Sequence, residues 1–281
     1  MGPWDSGNNT TYSFIYGGVM NWTKKEMPLI PGYESLGDDV AAKRWLDFKL
    51  TELLDTGDPV WEYRDELKTR KDICDFVIQQ IDYPFHLGAP TDKHYNNWFD
   101  SGCCHQITED YWQQASETLA TLRLNKRDGK KGLGDCEDTS VLFVTLMLEK
   151  GFEAWECLGE VLQNSIPIGG HGWSIFKSDD SFWRIYESTL DVPPNYPEGY
   201  PRIDPDETSW KVEGLTYQAY AKFDRHEYYE ANDAEETMKK LTSLPFKAKE
   251  TRRKYEAIAK AWGKGTKPLS KANILSRARW K

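Results

Sequence analysis

The sequence lacks both a long apolar run and an N-terminal leader pattern. Within its 281 residues, no segment approaches the roughly 20 consecutive apolar residues of a membrane-spanning helix. Residues 1–6 have neither the basic start nor the apolar core of a secretory signal. We therefore expect a soluble, cytoplasmic protein without a membrane span.

Cysteine is also scarce. The five cysteines are Cys74, Cys103, Cys104, Cys136 and Cys157. Their number is odd and too small for a disulfide scaffold, so we expect reduced thiols.

Acidic residues dominate the chain, whereas basic residues are concentrated at its C-terminus. The formal net charge of -9 argues against a protein whose whole surface coats nucleic acid or an anionic membrane. In residues 246–281, however, 12 Lys and Arg stand against 2 Glu. We predict a basic helical tail that folds back on the acidic body. The alternative is a tail that binds an anionic partner, such as nucleic acid, an anionic surface or a protein.

A cysteine at the start of a predicted helix is the most informative feature. The sequence Gly-Asp-Cys-Glu-Asp at 134–138 precedes an apolar block at 141–148, whose helical spacing predicts a buried helix ending near Gly151. In the first turn, the helix dipole and unpaired N–H groups favour a thiolate at Cys136. By itself, a buried structural cysteine would be the more common explanation.

Three strands are predicted after this helix, at 154–162, 170–176 and 182–186. If the last two strands form a hairpin with Ile175 opposite Trp183, apolar residues face each other and the connecting loop has three residues. The same register sets His171 opposite Glu187. A one-residue slip would mix the apolar and polar faces, so we favour the first register. Cys136, His171 and Glu187 then supply a nucleophile, a base and a group that orients the base.

A metal site is the alternative use of the remaining cysteines and histidines. Cys103, Cys104 and His105 follow His86 and His94 within one irregular stretch. Adjacent cysteines do not readily share one tetrahedral ion, and no Cys-x-x-Cys pair is present. We therefore predict neither a metal nor another cofactor.

The motifs together resemble the transglutaminase-like superfamily, which includes cysteine proteases and papain-related enzymes. The resemblance rests on Gly-Asp-Cys-Glu-Asp at 134–138, Gly-His-Gly-Trp at 170–173 and Tyr-Glu-Ser-Thr at 186–189, and covers roughly residues 65–190. It implies an α+β, papain-like fold with the cysteine helix packed on an antiparallel sheet. The chain departs from the family pattern at Glu187, where aspartate is usual.

The resemblance also implies an activity. Cys136 would attack an amide or isopeptide carbonyl of a peptide or protein substrate, with His171 as base and Glu187 as its orienting group. The N–H of Cys136, with Trp112 or Gln113, would stabilise the oxyanion. We favour hydrolysis. The alternatives are acyl transfer by a transglutaminase and an inactive binding module with a basic tail.

The expected organisation has four parts. Residues 1–35 form an N-terminal arm, 36–190 the catalytic core, 191–245 a surface extension with one or two helices from 217 to 241, and 246–281 the basic tail. Within the core, we predict helices at 38–55 and about 65–82, and a short helix beginning near Tyr111.

Overall fold

An antiparallel sheet flanked by helices forms the body of the protein. The computed structural model describes residues 21–28, 49–82, 112–127, 129–232, 254 and 257–263. Its mixture of helices and antiparallel strands confirms the predicted α+β class. No helix in these ranges combines the length and the apolar character needed to cross a membrane.

Most strands belong to one seven-stranded sheet. The strands of the described residues are β1 (Trp22–Lys25), β2 (Ile81–Asp82), β3 (Gly132–Leu133), β4 (Ala154–Gln163), β5 (Ile166–Lys177), β6 (Trp183–Tyr186), β7 (Ser209–Val212), β8 (Leu215–Phe223) and β9 (Tyr228–Ala231). The order in the main sheet is β1-β9-β8-β4-β5-β6, and β7 also pairs with β8. The short parallel pair of β2 and β3 stands apart and leads into the cysteine helix.

Four α-helices have described bounds. They are α1 (Asp58–Glu66), α2 (Arg70–Gln80), α3 (Ala115–Lys126) and α4 (Cys136–Glu149), and a 3-10 turn at Leu50–Leu53 precedes them. Helix α4 packs on β4 and β5 and contacts the other three helices. It is the helical centre of the core.

Helix α4 has the position and the limits that the sequence predicts. It begins at Cys136, and its residues from Cys136 to Met147 are all buried. Phe143 stacks on Tyr186 of β6 at 3.7 Å between ring centroids. Gly151 takes the left-handed conformation, with φ of 73°, that lets a glycine end a helix without steric cost.

The register of the β5–β6 hairpin differs from the predicted one. Ile175 lies opposite Ile185 instead of Trp183, and the loop spans five residues, 178–182, instead of three. The predicted register is therefore wrong by two residues. Because side chains alternate with a period of two, this shift leaves each side chain on its predicted face.

The buried guanidinium of Arg184 explains the longer loop. It donates to Ser178 Oγ at 2.8 Å, to Asp180 Oδ2 at 2.5 Å and to the carbonyl of Tyr200 at 2.6 Å. A buried charge needs such partners. Loop 178–182 supplies Ser178 and Asp180 as partners of Arg184. It is therefore longer than the three-residue loop that the pairing of apolar residues predicts.

The predicted helix at 217–241 is wrong over its described part. Leu215–Phe223 is strand β8, which pairs with β4, and Tyr228–Ala231 is strand β9. The sheet therefore continues past residue 190. Gly159 permits this pairing, because a Cβ there would lie 2.0 Å from the carbonyl oxygen of Gln218.

The helix predicted at about 65–82 is present but shorter, as α2 from Arg70 to Gln80. The chain forms α1 and α2, and then strand β2. Gly57 precedes α1 with Pro59 in its first turn, so the Gly-Asp-Pro sequence starts this helix. Thr69 starts α2 by accepting a hydrogen bond from the N–H of Asp72 at 3.1 Å.

Some predictions fall on residues outside the described ranges. These are the cysteine and histidine cluster at 86–105, most of the N-terminal arm and most of the helix at 38–55. The described part of the basic tail packs on the body, as we favoured: Lys254, Ile258 and Trp262 are all buried. An anionic partner for residues 246–281 stays a prediction.

Candidate active site

Two short elements hold the first turn of α4. The N–H of Gly134 donates to the carbonyl of Asp82 at 3.2 Å, which continues the β2–β3 pairing up to the helix. Asp138 then accepts hydrogen bonds from the N–H of Asp135 at 3.1 Å and from the backbone N–H of Gln113 at 2.7 Å. Because Asp138 is fully buried, these bonds fix the loop on which Cys136 lies.

Gly172 brings β5 against this same turn. A Cβ at Gly172 would lie 3.0 Å from Glu137 Cα and 3.2 Å from Glu137 N, so only a glycine lets the strand approach so closely. Cys136 and His171 are the chain neighbours of these two contacting residues. The contact therefore packs the residue after the predicted base against the residue after the predicted nucleophile.

His171 and Glu187 form a buried pair. The distance from His171 Nε2 to Glu187 Oε2 is 2.8 Å, and both side chains are fully buried. The observed register pairs Ser174 with Tyr186, the last residue of β6. Extended by one residue, it sets Glu187 opposite Trp173, so that His171 is the diagonal neighbour of Glu187 on the same face. The predicted pair is thus brought together, although not by direct opposition.

Further donors surround the Glu187 carboxylate. Oε1 accepts from the N–H of Thr189 at 3.1 Å and from its hydroxyl at 2.5 Å. Oε2 accepts from the hydroxyl of Tyr217 at 2.8 Å, in addition to its contact with His171. Each oxygen therefore has two partners, as a buried carboxylate requires.

These contacts determine the charge of the pair. Burial lowers the pKa of His171, and the adjacent carboxylate of Glu187 only partly offsets this. Burial alone would raise the pKa of Glu187, but His171, Thr189 and Tyr217 together bring it below its usual value. Glu187 is therefore an anion near neutral pH, which favours the tautomer with the proton on Nε2 and directs Nδ1 to accept a proton.

Acidic groups lie close to the candidate nucleophile. The thiol of Cys136 donates to Glu137 Oε2 at 3.0 Å, and the charge of Glu137 also raises the pKa of His171. Ligand atoms of Asp135, Cys136 and Glu137 lie within 4.8 Å of one another, the one such group among the described residues. This group uses the thiol itself, and we assign no metal to it.

The other described thiols are ordinary core residues. Cys74 and Cys157 are free and fully buried. Burial raises the pKa of both thiols well above the usual value, which makes them unreactive. Cys136, in contrast, is 7% exposed and lies at a helix N-terminus.

The predicted oxyanion donors lie next to the α4 turn. The side-chain amide of Gln113 donates to Asp138 Oδ2 at 2.8 Å and to the carbonyl of Leu133 at 3.4 Å. Trp112 is partly buried against the core. Contacts of Gln113 thus stabilise the loop that holds Cys136, and an oxyanion role for either residue stays a prediction.

Sequence reasoning missed four residues around the pair. Thr189 follows Glu187 closely enough to have been considered as its local partner. Tyr217, Lys254 and Trp262 come from distant segments, and no local pattern of the sequence connects them to His171.

Comparisons with known proteins give distant structural similarities. No family model and no curated protein matches the sequence. A structure of LapG from Legionella pneumophila (EGTA-treated) is similar at 15% identity and a TM-score of 0.33, over 72% of this chain and 94% of that one. A second LapG structure has 15% identity and a TM-score of 0.33, over 68% and 93%. A candidate cysteine protease from Cytophaga hutchinsonii has 14% identity and a TM-score of 0.29, over 66% and 58%.

Proposed function

We propose that the protein is a cysteine-dependent hydrolase that cleaves amide or isopeptide bonds in a peptide or protein substrate. Cys136 is the nucleophile, His171 the base and Glu187 the orienting group. The observation that supports this most strongly is the buried His171–Glu187 pair on a strand whose next residue packs against the turn that carries Cys136. A papain-like fold of the transglutaminase-like type belongs to the same proposal.

The first half of the reaction forms a thioester. His171 Nδ1 takes the proton of the Cys136 thiol, and the sulfur attacks the carbonyl carbon. The carbon–nitrogen bond then breaks, and the imidazolium gives its proton to the leaving amine. Glu187 keeps the ring oriented through Nε2 and stabilises its positive charge while it lasts.

The second half restores the enzyme. A water molecule attacks the thioester carbonyl while His171 accepts one of its protons. The carbon–sulfur bond breaks, the carboxylic acid product leaves, and the proton returns to the Cys136 sulfur. Both halves pass through an oxyanion, for which the N–H of Cys136 is the proposed donor, with Trp112 or Gln113 as a candidate second donor. Gln113 would have to exchange its bond to Asp138 for this role.

The resting thiol needs one rearrangement to react. Its hydrogen bond to Glu137 Oε2 favours the protonated form, since a thiolate would be repelled by the carboxylate. Turning the sulfur away from Glu137 and toward His171 exchanges that repulsion for attraction to the imidazolium.

Selective alkylation tests the proposal directly. We expect iodoacetamide at neutral pH to modify Cys136 far faster than Cys74 and Cys157, which serve as buried internal controls. His171→Ala should abolish the difference, whereas His226→Ala, an exposed histidine, should retain it. Mass spectrometry of the digested protein measures each thiol separately.

Two outcomes would contradict the proposal. Equally slow modification of all thiols in the native protein would favour a binding module, as would a rate at Cys136 that does not depend on His171. Incorporation of monodansylcadaverine into a glutamine-bearing protein, without hydrolysis, would instead assign the thioester to a transferase.

A further inference from the structure

A chain of hydrogen bonds leads from Trp262, in the basic tail, to the predicted orienting carboxylate of Glu187. The indole N–H of Trp262 donates to the Tyr217 hydroxyl at 3.0 Å, and this hydroxyl donates to Glu187 Oε2 at 2.8 Å. The same oxygen lies 2.8 Å from His171 Nε2. Trp262 is thus connected to the predicted base through two intermediate groups.

The chemistry of the groups fixes the direction of this chain. An indole N–H can only donate, and a tyrosine hydroxyl has a single proton. Because Tyr217 accepts from Trp262, its proton is directed to Glu187. Burial raises the pKa of Tyr217 well above its usual value, so the hydroxyl keeps that proton. Successive hydrogen bonds of this kind strengthen one another.

Water has little access to this arrangement. The Tyr217 and Glu187 residues are fully buried, and Trp262 is 9% exposed. If the indole N–H were removed, bulk water would not readily replace it. The hydroxyl of Tyr217 would then be less strictly oriented toward Glu187.

The same C-terminal segment also contacts the strand on the other side of His171. This docking segment comprises Lys254 and residues 257–263. Lys254 Nζ donates to the carbonyl of Gly170 at 2.6 Å, and its charge lowers the pKa of His171. Ile258 is buried in the core between these two contacts. The segment therefore touches the peptide before His171 and the hydrogen-bond chain behind Glu187.

We infer that the docking segment completes the active site, and that Trp262 is a positioning residue that acts on Glu187 through Tyr217. This inference rests on the proposed function. It means that reactivity of Cys136 depends on a segment of the basic tail, which lies outside the region that resembles the transglutaminase-like superfamily.

Trp262→Phe in the full-length protein is the test, because it removes the indole N–H and retains an aromatic ring. We expect the pseudo-first-order rate of Cys136 alkylation to fall about five-fold, the factor for one hydrogen bond of about 1 kcal/mol. Trp22→Phe is the matched control. Trp22 is another buried indole, and it lies on β1, at the edge of the main sheet opposite to β6, so its replacement should leave the rate unchanged.

Two further measurements separate positioning from general destabilisation. In Tyr217→Phe, the rate should fall at least as far, and adding Trp262→Phe to that variant should cause no further loss. The limb of the pH–rate profile that belongs to His171 should move upward in Tyr217→Phe, because Glu187 then loses a donor and holds the imidazolium more strongly. In Trp262→Phe the limb should move in the same direction by less, because Tyr217 keeps its bond to Glu187 but loses the donor that orients it. The titratable groups that act on or contact His171 are Glu137 on α4, Glu187 after β6, Tyr217 on β8 and Lys254 in the docking segment.

The outcomes distinguish this inference from the proposed function. Wild-type protein without selective alkylation would overturn the proposed function itself. Selective wild-type alkylation with unchanged rates in Trp262→Phe, or independent and additive losses in the double variant, would overturn the inference alone. If Trp262→Phe is unfolded at the assay temperature, Tyr217→Phe decides: a wild-type rate and pH profile would overturn the inference, and a reduced rate with a shifted limb would support it.

Discussion

Replacing Gly172 by alanine tests whether the contact between β5 and α4 positions the reactive groups. Gly172 does not have a positive φ, so alanine can adopt its backbone conformation. The obstacle is steric: the new Cβ would lie 3.0 Å from Glu137 Cα and 3.2 Å from Glu137 Cβ. Carbon atoms normally approach to about 3.5–4.0 Å.

The size of the effect follows from this gap. The strand and the helix must separate by roughly 0.5–1 Å to relieve the contact. Overpacking of this kind costs about 1–3 kcal/mol of stability. Cys136 and His171, one residue away on either side, would move apart by a similar distance. Since a misplacement of about 1 Å can lower a rate on the order of 10²-fold, we expect a loss of about 10- to 100-fold in Cys136 reactivity.

Iodoacetamide modification and thermal unfolding measure the two effects separately. Gly151→Ala is the matched control at the other end of α4. Nothing lies within 4 Å of its added Cβ, but the left-handed φ of 73° makes alanine cost about 1–2 kcal/mol. This variant should lose a similar amount of stability and keep the wild-type alkylation rate. A wild-type rate in folded Gly172→Ala, or an equal loss in both variants, would refute the reasoning.

Three further predictions concern the titratable groups of the core. Glu137→Gln should accelerate alkylation of Cys136 up to about ten-fold below neutral pH, since removing a carboxylate 3.0 Å from the sulfur favours the thiolate. Burial lowers the pKa of His171 from its ordinary value of 6.5. As the pH falls through 6.5, this histidine therefore becomes protonated in the unfolded chain before it does so in the folded protein. The free energy of unfolding should decrease over this range. His171→Gln should flatten that part of the curve, and His226→Gln should not. Burial raises the pKa of Glu156 well above its usual value, which favours the neutral acid, so Glu156→Gln should change the free energy of unfolding by less than about 1 kcal/mol.

Each of these predictions has a contrary result. Equal acceleration in Glu153→Gln, whose carboxylate is exposed and paired with Lys177, would show that the effect of Glu137 is not local. An unchanged slope in His171→Gln, measured by urea unfolding across the pH range, would contradict the assignment of that slope. A loss of 3 kcal/mol or more in Glu156→Gln would indicate that the buried acid is charged.

The local part of the site could be predicted from the sequence. Apolar spacing places Cys136 at the start of a buried helix, and the alternation of strand residues places His171 and Glu187 on one face. These inferences depend only on the two periodicities of the backbone. For this reason, the two-residue error in the predicted register does not change the helix start at Cys136 or the shared face of His171 and Glu187.

The parts of the fold that depend on distant segments of the chain could not be predicted from the sequence. Leu215–Phe223 alternates in burial only as far as Ala219 and is buried throughout after it. Its strand conformation depends on pairing with β4, more than 50 residues earlier. A short apolar segment suits a helix or a strand until its partner is known. The loop of five residues likewise follows from the needs of Arg184, whose burial is a tertiary property.

The sequence by itself thus determined the elements that carry Cys136, His171 and Glu187, because neighbouring residues and backbone geometry are sufficient to define a helix tip and a strand face. Only the tertiary structure decided how the carboxylate is held. Tyr217 donates to Glu187 from strand β8, and Trp262 donates to Tyr217 from a segment still farther along the chain. The hydrogen bonds of a buried charge depend on whichever donors the packed core brings to it.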